Sequence, residues 1–299
     1  VGVGGDHYNI GHGSLSFAPL QHIDESETEF AWAANWIASL AELQKLTILP
    51  GHRNAIHTAL ETLRHNPAHM RSLTDFWHVC QDEELKVALT HYTGKGAMGH
   101  LLDAKEDSLA VSHFMVFEIE DLMEMGEANM IPVLLYLFRR FEKSLSGQPS
   151  LLVLDEAWVM LGHPVFRAKI REWLKVLRKA NCAVVLATQS LSDARNSGIM
   201  DVLVESCPTK ILLPNHSARQ ENQCNLYVDI GLNSRQIDIV ANAIPKRDYY
   251  IISPDGRRLV QLALGPQALA FIGASDKDSI IRIRQLVDEL GQENWTDAW

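Results

Sequence analysis

Two stretches stand out from the ordinary alternation of polar and apolar positions along this chain. Leu151-Leu152-Val153-Leu154 is an unbroken apolar run, preceded by Gly147, Pro149 and Ser150 and followed at once by Asp155-Glu156. Cys182-Ala183-Val184-Val185-Leu186-Ala187 is the second, and it ends in Thr188-Gln189-Ser190. Short apolar runs bounded by turn residues read as strands buried on both faces of a parallel sheet. Between them Val165, Ile170, Trp173, Leu174 and Leu177 recur at roughly helical spacing. Strand, helix and strand in this order predict a parallel βαβ unit with the two strands as neighbours or near-neighbours.

Residues 24 to 108 have a different texture. After Asp24-Glu25-Ser26-Glu27, the residues Phe30, Ala34, Ile37, Leu40, Ala41 and Leu43 predict a long amphipathic helix. Pro50-Gly51 breaks that pattern, and His52 to His65 predicts a second helix. Ser72 caps a third through Trp77 and Val79, Glu83 to Thr90 suggests a fourth, and Gly94 to Gly99 reads as a loop. The charged run Asp103 to Asp107 reads as a turn.

On either side of this block the pattern is mixed. His7 to Ile10 predicts a strand and Gly11 to Ser14 a turn. Leu109 to Ile119 returns to the sheet, and Asn129 to Leu145 is an apolar helix with Pro132 placed in its first turn. Downstream come a helix from Leu191 to Glu205 broken near Ser197-Gly198, a strand at Lys210 to Leu213, and helices at Asn222 to Gly231 and Ser234 to Ala243. Asp248 to Ser253 and Arg258 to Leu264 flank Pro254-Asp255-Gly256 as a hairpin. Helices at Gln267 to Ala270 and Asp276 to Leu290 lead to a frayed tail with Trp295 and Trp299. The expected organisation is an α/β core in residues 1–23 and 109–299, with residues 24–108 as an inserted all-helical subdomain.

Chemistry concentrates at the ends of the two apolar strands. Ligands collect at the carboxyl ends of parallel strands. Asp155 and Glu156 sit there in the Walker B arrangement of nucleotide hydrolases. A carboxylate at Asp155 suits Mg²⁺, a hard cation that takes oxygen ligands. Glu156 suits the role of the base that polarises the attacking water. Gln189 can sense a γ-phosphate by hydrogen bond. A core strand followed by an acidic helix cap also fits Asp155-Glu156 taken alone, and a solvated strand end fits Gln189 taken alone. The conjunction of all three favours nucleotide hydrolysis.

Composition narrows the field. Across 299 residues, 46% are hydrophobic and 21% charged, as in ordinary globular proteins. No run approaches the length of a membrane-spanning helix. The four cysteines, Cys80, Cys182, Cys207 and Cys224, lack C-x-x-C spacing and read as reduced, mostly buried thiols. The 13 histidines show no zinc-ligand spacing, and there is no G-x-S-x-G elbow. A net charge of −10 argues against a dedicated nucleic-acid surface without excluding DNA contact inside an oligomeric channel. Arg139-Arg140 and Arg257-Arg258 read as solvated faces.

Leu154-Asp155-Glu156-Ala157-Trp158, Leu177-Arg178-Lys179-Ala180-Asn181 and Ala187-Thr188-Gln189-Ser190 together resemble the large conjugation ATPases of type IV secretion systems, the TrbE-like family. Gly4 to Tyr8 with Leu15 to Leu20, Pro208 to Asn215, and Ile230 to Asn233 with Pro245 to Tyr250 extend the resemblance over nearly the whole chain. It implies a RecA-like P-loop NTPase core, mostly parallel and three-layered, that uses ATP and Mg. It also implies a ring homo-oligomer, a hexamer, working with other type IV secretion components at the cytoplasmic face of the inner membrane. Phosphoryl transfer also needs positive charge on the transferring group. Arg178, in the family's Arg-Lys motif, is the first candidate for an arginine given to a neighbouring subunit, and Arg247 is the second. Lys179 and Lys246 beside them are candidate nucleotide contacts. A surface ion pair or helix-end charge fits these positions as well.

One departure from the family pattern matters. The phosphate-cradling G-x-x-x-x-G-K-[ST] is missing. Val1-Gly2-Val3-Gly4-Gly5 leads to Asp6-His7 without a lysine, and Thr93-Gly94-Lys95-Gly96 has glycine in place of Ser/Thr. The expectation is a C-terminal piece that starts just after the phosphate loop and its helix, inactive alone. Two further readings stay open: a DNA-translocating ring ATPase, and a non-catalytic assembly module with residues 24–108 as its working surface.

Overall fold

A computed structural model describes residues 5–10, 15–110, 112–274, 276–291 and 293–299. The glycine-rich start at 1–4, the expected turn at 11–14 and Val111 lie outside the described residues, as do the side chains at 158–160. The strands are β1 (Asp6–Asn9), β2 (Met115–Glu118), β3 (Ser150–Leu154), β4 (Cys182–Leu186), β5 (Lys210–Leu212), β6 (Asp248–Ser253) and β7 (Gly256–Gln261). β1 pairs with β2 and β3 with β4, both parallel, while β5-β6-β7 is antiparallel. The chain divides into two compact units, residues 1–144 with 287–298, and residues 145–286 with 299.

In the first unit the helices Glu27–Leu43, Pro50–Arg64, Leu73–Val79 and Glu83–Leu89 follow the amphipathic pattern. Ser26, Ser72 and Asp82 accept from backbone N–H groups of the first turns they precede. Pro50-Gly51 does not break a helix but opens one. Proline at the first helical position has no N–H to leave unsatisfied, and its φ is already helical. Arg71, 6% exposed, joins segments distant in sequence: it grips Asp24 with two donors and bonds the carbonyls of Gln21, Arg64 and Asn66. Gly94 to Gly99 is held by Asp103, which accepts from Gly94 N at 2.6 Å and from both Thr74 N and its hydroxyl. A Cβ on Gly99 would lie 2.0 Å from the Thr93 carbonyl oxygen, so only glycine fits.

The apolar helix runs Glu127–Ser144, two residues earlier than expected, which moves Pro132 out of the first turn and into the body. Proline has no N–H for the carbonyl four residues back. That carbonyl, Ala128, instead accepts the Tyr92 hydroxyl at 2.8 Å, and the Pro132 carbonyl accepts Trp36 Nε1 at 3.1 Å. Arg139 and Arg140 are not a solvated face. Arg139 pairs with Glu29 and Glu142, and Arg140 pairs with Asp107. Asp107 itself is buried, accepting the Tyr136 hydroxyl and Leu109 N. Leu109 to Ile119 shrinks to the four residues of β2.

In the second unit the helix Pro164–Val176 buries Phe166, Ile170 and Trp173 and continues into a tight turn at Leu177–Ala180. Asn181 then takes a left-handed φ of 59° and turns the chain into β4. The crossover delivers β4 beside β3 in parallel, as the apolar runs required. The expectation of burial on both faces fails, however. Leu151 and Val153 are 62% and 56% exposed, while Leu154 is 5% exposed. One crossover helix can cover only one face.

The helical stretch from Leu191 is broken near Ser197-Gly198 as expected, into Leu191–Asn196 and Met200–Ser206, with Gly198 at φ 71°. Ala218, Tyr227, Ile237, Val240, Tyr250 and Ile252 form a core between the antiparallel sheet and the helices Glu221–Asp229 and Ser234–Asn242. The helices Pro266–Ile272 and Lys277–Leu290 close the chain. The tail is not frayed: Trp295 is buried, and Trp299 donates to the Ala270 carbonyl at 2.8 Å. Cys80 and Cys182 are buried; Cys207 and Cys224 are partly so, and all four are free thiols.

Candidate functional site

β3 and β4 pair from Ser150↔Cys182 through Leu154↔Leu186. Backbone bonds carry the pairing one step past the strands: Ala187 N donates to Leu154 O and Ala157 N to Ala187 O, both at 2.9 Å. This fixes the chain on both sides of Asp155-Glu156 and just ahead of Gln189. The Gln189 amide nitrogen donates to Glu156 Oε1 at 2.7 Å. Asp155 Oδ1 accepts the backbone N–H of Glu156 at 2.9 Å. Glu156 and Gln189, with Asp155 next to Glu156 in the chain, therefore meet at the strand-end crevice. Its surface is open: Asp155 and Gln189 are exposed and Glu156 half-buried.

Glu156 carries a φ of 51°, a left-handed backbone that L residues other than Asn and Asp rarely adopt. Nothing in the sequence signals it. Such strain costs about 1–3 kcal/mol and persists where neighbours over-determine the conformation. Here the neighbours are the two backbone bonds flanking the turn and the buried Ala157. Beyond Gln189, Ser190 accepts from Ser192 N and caps the helix Leu191–Asn196, which steadies the far side of the crevice.

The basic candidates lie elsewhere. Arg178 and Lys179 are exposed in the turn that precedes β4, at the amino end of that strand. With about 3.3 Å per residue, five strand residues put them some ~16 Å from the Gln189 end. They do not reach the crevice of their own chain. Lys246 (φ 62°) and Arg247 are exposed in the turn before β6, where Arg247 Nε lies 3.4 Å from Asp248 Oδ1.

As a donor set the crevice fits part of a magnesium site. One oxygen of Asp155 is taken by the Glu156 amide, and the other is a hard ligand of the kind Mg²⁺ accepts directly or through water. No group of three or more His, Cys, Asp or Glu side chains among the described residues is arranged to hold a metal by itself.

A family model described as the TraG P-loop domain matches residues 75–247, more than half of the chain. Over its whole length the chain is 57% identical to a probable conjugal transfer protein TrbE of Sinorhizobium fredii and to the conjugal transfer protein TrbE of Rhizobium radiobacter. It spans 46% and 37% of those two proteins, less than half of either. A Type IV secretion system protein virB4 of Bartonella henselae is 27% identical over 94% of this chain and 36% of its own length.

Two solved structures share the fold. VirB4 of Thermoanaerobacter pseudethanolicus matches with a TM-score of 0.68 at 19% identity, covering 89% of this chain and 79% of that one. The plasmid coupling protein TrwB, in complex with a non-hydrolysable GTP analogue, matches at 0.55 and 13% identity, covering 87% and 74%. The fold is that of a RecA-like P-loop NTPase, mixed helix and sheet with parallel strands. The chain belongs to the TraG P-loop domain family.

Proposed function

We propose that this chain is the catalytic half of an ATP-hydrolysing motor that energises conjugative type IV secretion. The observation that carries the proposal is the Gln189–Glu156 hydrogen bond beside Asp155, at the carboxyl ends of two parallel strands. Glu156 takes the role of the base that orients and deprotonates the attacking water. Gln189, bonded to that carboxylate, reports the γ-phosphate to it. Asp155 would hold the magnesium ion, which when bound would neutralise charge on the phosphates. The relatives named for conjugal transfer support the process assigned.

Arg178 serves the crevice of a neighbouring subunit, since it is too far from its own, and Arg247 is the second candidate for that role. Lys179, beside Arg178, would assist at the same neighbouring nucleotide, and Lys246 beside Arg247 is the second candidate. This arrangement calls for a ring of identical subunits, a hexamer, docked on other secretion components at the cytoplasmic face of the inner membrane. No helix among the described residues is long and apolar enough to cross a membrane. The division into an ATPase core, 1–23 with 109–299, and a helical insertion, 24–108, belongs to the same proposal. Because the sequence holds no G-x-x-x-x-G-K-[ST], residues 1–299 alone bind nucleotide weakly and do not turn it over. In the full-length protein Glu156→Gln retains nucleotide and loses most hydrolysis; unchanged hydrolysis would refute the assignment.

A further inference from the structure

Beyond the strand-end crevice, the second unit holds a cleft of about 340 Å³ between the helices Leu191–Asn196 and Glu221–Asp229. Positions three and four apart share a helix face. That spacing gives one wall Ser192, Arg195 and Asn196, and the other Asn222, Asn225 and Leu226. Gln223 adds a third carboxamide to the second wall. Leu226 is buried, while Arg195, Asn196, Asn222 and Asn225 are exposed. Arg195 Nε lies 3.5 Å from Asp229 Oδ2 and ties the carboxyl ends of the two helices together. The first wall is fixed at both ends. Ser190 caps its first turn, and Arg167 donates to the Ser197 carbonyl at 2.8 Å just past its last. Every residue of the cleft belongs to one compact unit.

The lining is rich in one chemistry. Four side chains are carboxamides, one is a guanidinium and none is aromatic. Among the described residues the side chains of Asn196, Asn222, Gln223 and Asn225 make no hydrogen bond. A carboxamide sets a donor and an acceptor side by side. An extended polypeptide presents the same pair at its peptide units, whereas a helical one uses them internally. The Arg195 fork suits a carboxylate. Its Nε faces Asp229, which leaves the terminal nitrogens without a hydrogen bond among the described residues. A nucleobase would want a ring to stack on, and the cleft has none. Asp193 and Glu221, on the same two helices, oppose a polyanion.

We propose that the cleft binds an extended peptide segment of a partner protein. The carboxamides read its main chain, and Arg195 takes one aspartate or glutamate side chain. The volume, near the low end of the roughly 300–1,000 Å³ of ligand pockets, holds a few residues. Because the first wall is held before the segment arrives, binding loses little to ordering it. The site does not depend on the nucleotide reading.

The test is fluorescence polarisation with the full-length protein and short labelled peptides, built of mixed neutral residues around one fixed central glutamate. Saturable binding is expected. Replacing the central glutamate by glutamine should weaken it at least about tenfold, the scale of a hydrogen bond to a charged group. Arg195→Gln should do the same to the glutamate peptides. Asn225→Leu should weaken glutamate and glutamine peptides alike, because it removes a main-chain contact. Asp229→Asn removes a competitor for the guanidinium and should tighten binding by at least about twofold, a gain that a merely structural role does not give. All three side chains are exposed, so the variants should melt close to wild type. No saturable binding, equal affinity for glutamate and glutamine peptides, or unchanged binding by both Arg195→Gln and Asn225→Leu would overturn the proposal. Displacement of the peptide by adenosine monophosphate or a single-stranded oligonucleotide, at lower concentration than by unlabelled peptide, would also overturn it and assign the cleft to nucleotides.

Discussion

Gln189 donates to Glu156 across 2.7 Å, although 33 residues separate them in the chain. The link exists because β3 and β4 are parallel and in register, so their carboxyl ends finish together. A neutral amide held against a carboxylate is suited to relay occupancy of the site without neutralising the proposed base. We expect Gln189→Ala in the full-length protein to lower ATP turnover by about 10²-fold, with nucleotide affinity changed by less than about threefold. A steady-state assay paired with equilibrium binding checks this. Wild-type turnover would remove Gln189 from the mechanism.

Glu156 holds a left-handed backbone at φ 51°. Glycine accepts that conformation freely, while alanine does not. Glu156→Gly should therefore be more stable than Glu156→Ala in residues 1–299, by about 1 kcal/mol. Chemical denaturation of the two variants measures the difference. Equal stability would mean the backbone relaxes when the side chain is lost.

Tyr92 caps the carbonyl that Pro132 leaves open at Ala128, and it also accepts from Gln44 at 3.0 Å. Tyr92→Phe should cost about 1–3 kcal/mol, as expected for a buried polar group left unmet. In a Pro132→Ala background the helix supplies its own N–H to Ala128, and the cost should fall. A double-mutant cycle reads that coupling, and strict additivity would contradict it.

Acid should destabilise the first unit through two carboxylates and protect it through a third. The Arg71 guanidinium lowers the pKa of Asp24, and the Lys143 ammonium lowers that of Glu25. Their contributions are complete above the unfolded values of 3.8 and 4.5 and are lost as pH falls through the lower folded values. Burial raises the pKa of Asp107, so the folded state takes up that proton more readily and the term favours the fold as pH falls. Asp107→Asn, neutral at every pH, should then raise stability most above the acid range and leave the acid-unfolding midpoint unmoved or lower, and Arg71→Met should flatten the acid limb that Asp24 contributes. Circular dichroism against pH distinguishes these, and a midpoint shifted to higher pH in Asp107→Asn would contradict the assignment.

Local pattern revealed much of this architecture. The apolar runs at 151–154 and 182–187, with helical spacing between them, led to the parallel pair and to the meeting of Glu156 and Gln189. A serine cap marked a helix start correctly at Ser72. What failed depended on partners distant in sequence. Pro132 is tolerated in a helix body because Tyr92 replaces the lost donor. Arg139 is drawn from solvent by Glu29, 110 residues away, and Trp299 is pinned by the Ala270 carbonyl. The strand face bearing Leu151 and Val153 looks like interior from its sequence, yet both side chains are exposed. The distance between Arg178 and the crevice of its own chain follows from strand direction, which the sequence already implied.

The most direct measurement is ATP turnover by the full-length protein, wild type against Glu156→Gln, with nucleotide binding followed in parallel. Replacing the carboxylate by its neutral isostere keeps the size of the side chain and its bond to Gln189 while removing the base. The account predicts binding within about threefold of wild type and turnover reduced by at least about 10²-fold. Turnover equal to wild type in a folded, nucleotide-bound Glu156→Gln protein would contradict it.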